Sequence, residues 1–111
     1  MDIAYNTSTQ RDFYQECINL AVYIKFDRMH DESWHRITSD KPLSWFLDNV
    51  DKITSSQLIV RKHQLRNEDE RWNADNHLEV NVELREGNTT YLLIIEIDAK
   101  YSEQLSVISK Q

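Results

Sequence analysis

Ionisable residues at the ends of two neighbouring apolar stretches have the types and spacing that could do chemistry. Asp98 and Lys100 close the second stretch, and His77 and Glu79 open the first. Carboxylates that converge on one site bind a cation or share a proton, and a carboxylate beside a histidine can form an acid–base pair. Whether these residues meet depends on the elements that carry them.

The segment from His77 to Tyr101 predicts a β-hairpin that would bring them together. Between residues 78 and 85 apolar and polar side chains alternate, which is typical of a strand with one buried face. Gly87-Asn88 follows, and residues 91–97 are almost continuously apolar. With Gly87 and Asn88 as a two-residue loop, Glu86 faces Thr89 and the register continues outward pair by pair.

This register assigns the side chains of the hairpin to two faces. The core face carries Leu84/Tyr91, Val82/Leu93, Val80/Ile95 and Leu78/Ile97. On the other face lie Glu79 opposite Glu96, His77 opposite Asp98 with Lys100 one step further, and Leu92 and Ile94 nearer the turn. A slip by one residue would turn the apolar set toward solvent, so the burial pattern supports this register.

The pair of glutamates is unusual, because like charges directly across a ladder repel. Compensation could come from Lys100, His77, a bound cation or a shared proton, and the alternative is an exposed rim screened by water. We favour the rim, so we predict no metal and no cofactor. The predicted binding residues are Glu79, Glu96, Asp98, Leu92 and Ile94, and the catalytic candidates are Asp98, His77, His63 and Lys100.

Composition limits the class of protein. The 111 residues, 40% hydrophobic and 29% charged, suit a single globular domain spanning residues 1–111. A formal net charge of −6 opposes direct contact with nucleic acid. Cys17 is the only cysteine, and there is neither a signal segment nor an apolar run long enough for a bilayer. We therefore expect a cytoplasmic protein with no membrane association.

Two helices are predicted before the hairpin. Thr7 and Gln10 have the spacing of a capping box, and the apolar residues that follow at helical spacing predict a first helix ending near Met29. Asp40 is expected to cap a shorter second helix with Pro42 in its first turn. The apolar face of this second helix would consist of Leu43, Phe46, Leu47, Val50 and Ile53.

The remaining segments complete an α+β fold. Residues 58–65 predict a strand, with a helix through 57–70 as the alternative. The basic cluster of Arg61, Lys62, His63 and Arg66 is followed by three acids and indicates a solvated strand face. Residues 67–76 are polar and predict a loop, and Leu105, Val107 and Ile108 predict a closing strand or a helical turn. The expected architecture is N-terminal helices packed on a mainly antiparallel sheet of three to four strands built on the 77–101 hairpin.

The order of these elements resembles the cystatin-like roll of the nuclear-transport-factor-2-like superfamily. The similarity lies in the long helix, the short helix with Trp45-Phe46-Leu47, the strand carrying residues 62–67, the hairpin and the closing strand. The resemblance implies a curved sheet around a long helix, a conical pocket and frequent dimers. Members serve as enzymes, ligand binders or interaction modules.

A second resemblance concerns chemistry. Asp98-Ala99-Lys100 at the end of an apolar strand is similar to the (D/E)-x-K half of the magnesium-dependent nuclease core, with Glu79 or Glu83 as the upstream acid. That resemblance implies carboxylates that bind the metal and a lysine that activates the attacking water.

These observations favour a small acidic interaction protein, and we lean against enzymatic activity. An inhibitor or immunity-type accessory protein of phage or mobile-element origin fits, with a basic or nucleic-acid-binding protein as its partner. The alternative is a roll-type small-molecule-binding protein or enzyme in which Asp98 pairs with His77 or His63. A nuclease-like site at Asp98 and Lys100 is a lesser alternative. Because the helices would leave Leu92 and Ile94 uncovered, we also predict a homodimer.

Overall fold

The computed structural model describes residues 7–33, 35–66, 72–101 and 103–105, with side chains for all of these except 7–9, 60–66 and 72–76. Over these residues the chain is α+β, with one antiparallel sheet of five strands in the order β2-β1-β5-β4-β3. The elements are α1 Thr7–Asn19, β1 Ala21–His30, β2 Ile37–Thr38, α2 Leu43–Asp48, β3 Ile53–Arg66, β4 Trp72–Glu86 and β5 Thr89–Asp98, with short 3-10 helices at Val50–Lys52 and Ala99–Tyr101. None of the described helices is long and apolar enough to cross a bilayer.

The hairpin of β4 and β5 has the predicted register. Gly87 adopts a φ of 59°, a left-handed conformation that suits glycine in a tight turn. Glu86 pairs with Thr89, and the pairing continues without a break to His77 opposite Asp98. The residues predicted for the core face are all buried, namely Leu78, Val80, Val82, Leu84, Tyr91, Leu93, Ile95 and Ile97.

The first helix is shorter than predicted. It ends at Asn19, and the residues that follow form β1, antiparallel to β5. The prediction of a helix to Met29 is therefore wrong, and the sheet has five strands where three to four were predicted. Val22, Tyr23 and Ile24 are β-branched or aromatic and favour a strand. Pairing with β1 also satisfies backbone groups that β5 would otherwise leave on an open edge.

The second helix is also shorter, and Asp40 does not cap it. Pro42 occupies the N-cap position without a side-chain hydrogen bond. Asp40 instead accepts a hydrogen bond from the Tyr91 hydroxyl at 3.2 Å and lies 3.6 Å from Arg28 Nε. These partners on the sheet compete with the helix N-terminus for the carboxylate. The predicted apolar face is nevertheless buried at Phe46, Leu47 and Val50.

The strands β3 and β4 are longer than predicted. The prediction that residues 57–66 form a strand is confirmed. The strand begins earlier than predicted, at Ile53, and its register with β4 shifts between Ile53 and Ser55. The loop predicted for 67–76 is wrong from Trp72 onward, where Trp72 pairs with Arg66. Ladder hydrogen bonds join backbone groups, so a polar segment can extend a hairpin whose register is already set.

The end of the chain is described only in part. Residues 103–105 form a helical turn, and Leu105 is buried. The helical alternative is thus confirmed over this turn. Val107 and Ile108, which were also predicted for the closing strand, lie outside the described residues.

Aromatic contacts fasten both helices to one face of the sheet. Tyr14 of α1 meets Phe46 of α2 edge to face, with ring centroids 5.5 Å apart, and Phe46 meets Phe26 of β1 at 6.0 Å. The Tyr14 hydroxyl also forms a 2.7 Å hydrogen bond with Ser56 of β3. The helices therefore cover the core face and leave the opposite face of the sheet without a helix among the described residues.

Cys17 offers a direct test of the packing of α1. Burial, together with the charge of Glu16, raises the pKa of its thiol from 9.0 to about 12. A buried, protonated thiol is unreactive, so we expect no labelling by a chromogenic disulfide reagent at about pH 8 until denaturant unfolds the chain. Immediate labelling of the native protein would show that α1 does not shield this residue.

The same shift predicts how stability depends on pH. Between pH 9.0 and about 12 the folded chain keeps a proton on Cys17 that the unfolded chain has lost. The stabilisation is complete below the unfolded pKa and disappears as pH rises through the folded value, so the free energy of unfolding should fall across this interval. Denaturant titrations monitored by circular dichroism at several alkaline pH values would measure it.

Candidate functional site

The predicted binding residues lie on the sheet face opposite the helices, which we term the open face. Residues that pair across neighbouring strands share a face, so the register determines its membership. The open face includes Tyr23, Lys25, Asp27 and Met29 from β1, Thr90, Leu92, Ile94, Glu96 and Asp98 from β5, His77, Glu79, Asn81, Glu83 and Arg85 from β4, and Ser55, Gln57 and Ile59 from β3.

One end of the open face is acidic. Glu79 lies directly opposite Glu96, and His77 lies opposite Asp98 in the next pair of this face. Asn81 Nδ2 donates a hydrogen bond to the Glu79 carboxylate at 3.2 Å. The side chains of Glu79, Glu96 and Asp98 are all partly exposed. The structure therefore brings together the predicted carboxylates and His77 at the surface.

Lys100 does not continue the strand, contrary to prediction. β5 ends at Asp98, whose carboxylate accepts a 3.0 Å hydrogen bond from the backbone N–H of Lys100. This is how an aspartate caps a helical turn, and it begins the 3-10 helix Ala99–Tyr101. The Lys100 ammonium lies 5.1 Å from the centre of the Tyr101 ring. The (D/E)-x-K sequence thus has a structural role here, because its aspartate ends the strand and caps the 3-10 helix.

The other candidates for chemistry are less well assembled. The backbone of His63 pairs with Asp75, two strands away from Asp98, and its side chain lies outside the described part. In the portion of the chain that the structure describes, no three histidine, cysteine, aspartate or glutamate side chains are placed to hold a metal ion. His77 and Asp98 are the predicted acid–base partners that the register makes neighbours.

The centre of the open face is apolar and only half-buried. Leu92 and Ile94 line a shallow depression of about 270 Å³. Its other described lining residues are Arg36, Ser55, Gln57, Asn81, Val82, Glu83 and Leu93. A typical small-molecule site is a concave, mainly apolar cavity that encloses most of its ligand. This depression is open and has polar residues around the apolar side chains of Leu92 and Ile94, so it is better suited to contact with a protein surface.

Arg36 lines the depression and forms an ion pair with Asp27, and the sequence analysis missed both residues. Asp27 is 5% exposed, and its carboxylate accepts a 2.8 Å hydrogen bond from Arg36 Nε and lies 3.6 Å from the Lys25 ammonium. Asp27 falls in a segment predicted to be helical, so the sequence analysis did not place it on a sheet face. The alternation of Tyr23, Lys25 and Asp27 with apolar residues was the available signal.

Charge is distributed unevenly along the open face. Lys25 and Arg36 are both engaged with Asp27, and near the turn Arg85 forms an ion pair with Asp31. Together with the exposed Glu83, these acids equal the cations of this half in number. The opposite half carries the carboxylates of Glu79, Glu96 and Asp98. Among the described side chains, the excess charge of the face is negative.

No family model, curated protein or solved structure matches this chain. The similarities to the cystatin-like roll and to the nuclease core therefore stay predictions. Function has to be argued from the geometry of the open face.

Proposed function

We propose that this chain is a protein-binding module without catalytic activity and that its partner docks on the open face. The observation that carries the proposal is the half-buried apolar centre of Leu92 and Ile94, bordered by carboxylates and placed opposite the helix-covered core. An apolar centre with a polar rim is the usual composition of a protein interface.

The charge of the face supports a basic partner. The whole chain carries a formal charge of −6, and Glu79, Glu96 and Asp98 lie together at one end of the open face. Complementary charge speeds association and disfavours wrong partners. Basic surfaces are common on proteins that bind nucleic acid. We therefore propose that the chain is an inhibitor or immunity-type protein that binds such a basic surface on its partner.

The neighbouring His77 and Asp98 are the basis of the enzymatic alternative, and two observations argue against it. Asp98 already accepts the hydrogen bond that caps the 3-10 helix, which gives its carboxylate a structural role. Neither His77 nor Asp98 is among the described residues that line the depression, so this depression does not present a substrate to the pair.

The variant Glu96→Gln tests the proposal because its two expected effects differ in sign. Removing one of two facing carboxylates relieves repulsion, so we expect the free energy of unfolding to rise by about 0.2–1 kcal/mol. The same change should weaken capture of a basic partner. The measurements are denaturant unfolding and capture from a lysate on immobilised protein at low and raised salt, since a charge-steered complex weakens as salt rises.

Asp12→Asn is the matched control. It removes the same charge from an exposed position on α1, on the helix side of the molecule. We expect it to leave capture unchanged. Capture that is equal for the wild type, Glu96→Gln and Asp12→Asn at every salt concentration, or no specific capture at all, would contradict a partner on the open face.

A further inference from the structure

Among the strands that the structure describes, β3 forms one outer edge of the sheet. Residues 53–60 of this edge contain neither a charged residue nor a proline. The Leu58 side chain on it is 55% exposed. Natural proteins usually protect such edges with charges, proline, bulges or a covering segment, because the unpaired backbone groups bind other strands.

The opposite edge of the sheet is protected in these ways. β2 pairs with β1 at Asp27 and Arg28, and the Ser39 N–H donates a 2.9 Å hydrogen bond to the Phe26 carbonyl. β1 also carries a bulge near Val22, at the start of the strand. This edge is interrupted where it is long enough to accept another strand.

The β3 edge has one irregularity, between Ile53 and Ser55, and from Ser55 its ladder with β4 runs regularly to Arg66. Among the described strands none pairs with this side of β3, so it presents a long row of backbone N–H and C=O groups. Adding an antiparallel strand to such an edge is a common mode of recognition, in which the backbone supplies most of the hydrogen bonds.

The charges along β3 favour a second copy of the chain in one orientation. The half of the strand beyond residue 60 contains Arg61, Lys62 and Arg66. A parallel copy, or an antiparallel copy centred on this half, would place like charges opposite each other. An antiparallel copy centred on the uncharged half would instead keep the two basic halves at opposite ends of the contact.

A two-fold axis at Leu58 also makes the contact complementary in charge. It places Arg61 of one copy opposite Ser55 of the other, and the next residue across on β4 is Glu83, which is exposed. Ser55 then lies between Glu83 of its own copy and Arg61 of the other copy. Because serine is short, it separates these two opposite charges only slightly. Leu58 then faces the Leu58 of the second copy and loses its exposure.

We propose that two copies of this chain pair antiparallel through β3, around a two-fold axis at Leu58, and form one continuous sheet. The contact is isologous, as in most symmetric dimers. Because the axis is perpendicular to the sheet, the open faces of both copies lie on the same side. The pair would therefore present two partner-binding faces together, which increases avidity for a repeated or dimeric partner.

Cross-linking through Leu58→Cys tests this arrangement. Residues directly opposite in an antiparallel ladder have Cα atoms about 4.5–5.5 Å apart, which is within the range of a disulfide. Under mild oxidation we expect most of the variant to migrate at twice the 13.3 kDa chain mass on a non-reducing gel. Val22→Cys is the matched control, because Val22 is 60% exposed but lies on the opposite edge. Cys17 is fully buried and should give no cross-link in the wild type.

Sedimentation gives a second, independent measurement. We expect the wild type to sediment as a dimer at tens of micromolar and Leu58→Lys as a monomer, because two lysines would meet at the axis. Leu58 is largely exposed, so circular dichroism should show an unchanged fold in this variant. Equal cross-linking of Leu58→Cys and Val22→Cys, or a wild type that sediments only as a 13.3 kDa species, would overturn the proposal.

Discussion

Phe46→Ala is expected to lower the free energy of unfolding by about 3–5 kcal/mol. Phe46 is fully buried, and its ring contacts Tyr14 at 5.5 Å and Phe26 at 6.0 Å between centroids. Alanine would leave a cavity where α1, α2 and β1 meet. Domains of this size commonly unfold with about 5–15 kcal/mol, so the variant should lose a large part of its stability.

Urea unfolding followed by circular dichroism and by tryptophan fluorescence would measure this loss. Ile37→Ala is the matched control, because Ile37 is 47% exposed in β2 and should change stability by less than about 0.5 kcal/mol. A loss below about 1 kcal/mol in Phe46→Ala would contradict the central position of this ring.

The hairpin of β4 and β5 could be predicted from the sequence, including its register. The alternation of apolar and polar residues from 78 to 85 specifies one buried face, and Gly87 supplies the conformation that a two-residue loop requires. Both signals are local and agree with each other. The like-charged pair of Glu79 and Glu96 follows directly from them.

The strand β1 could not be predicted, because its residues satisfy two periods. Cys17, Leu20 and Ile24 follow helical spacing, whereas Ile24 and Phe26 alternate with polar neighbours as in a strand. The decision comes from β5, which lies far along the chain and pairs with β1 on one side and β4 on the other. The local sequence contains signals for both periods and does not decide between them.

The residues of the candidate site could likewise be predicted where they belong to the hairpin and not where they depend on other elements. Glu79, Glu96, Leu92 and Ile94 belong to the hairpin, and the structure places them on the predicted face. Asp27 and Arg36 were missed because their position depends on β1 and β2. Lys100 was misplaced for a different reason, since the Asp98 carboxylate ends the strand by capping a 3-10 helix and no apolar pattern signals that step.

Ile94→Lys is expected to weaken partner binding by at least about 30-fold, equivalent to about 2 kcal/mol. Ile94 lies at the centre of the open face, with Asn81 opposite it on β4 and Lys25 opposite it on β1. Central, desolvated positions contribute most to an interface. A lysine there would remove an apolar contact and add a positive charge against a basic partner. Its aliphatic stem can cover the strand while the ammonium reaches water, so the fold should tolerate the change.

Titration of each variant against the captured partner by calorimetry would measure the loss. Ile37→Lys is the matched control, since it makes the same replacement on β2. Ile37 pairs with Arg28 and therefore lies on the helix side of the sheet, away from the open face. We expect Ile37→Lys to bind like the wild type and Ile94→Lys to remain folded by circular dichroism. If Ile94→Lys bound the partner with wild-type affinity while Ile37→Lys did not, the interface would lie on the helix side near β2, because the two variants share the same change in charge and volume.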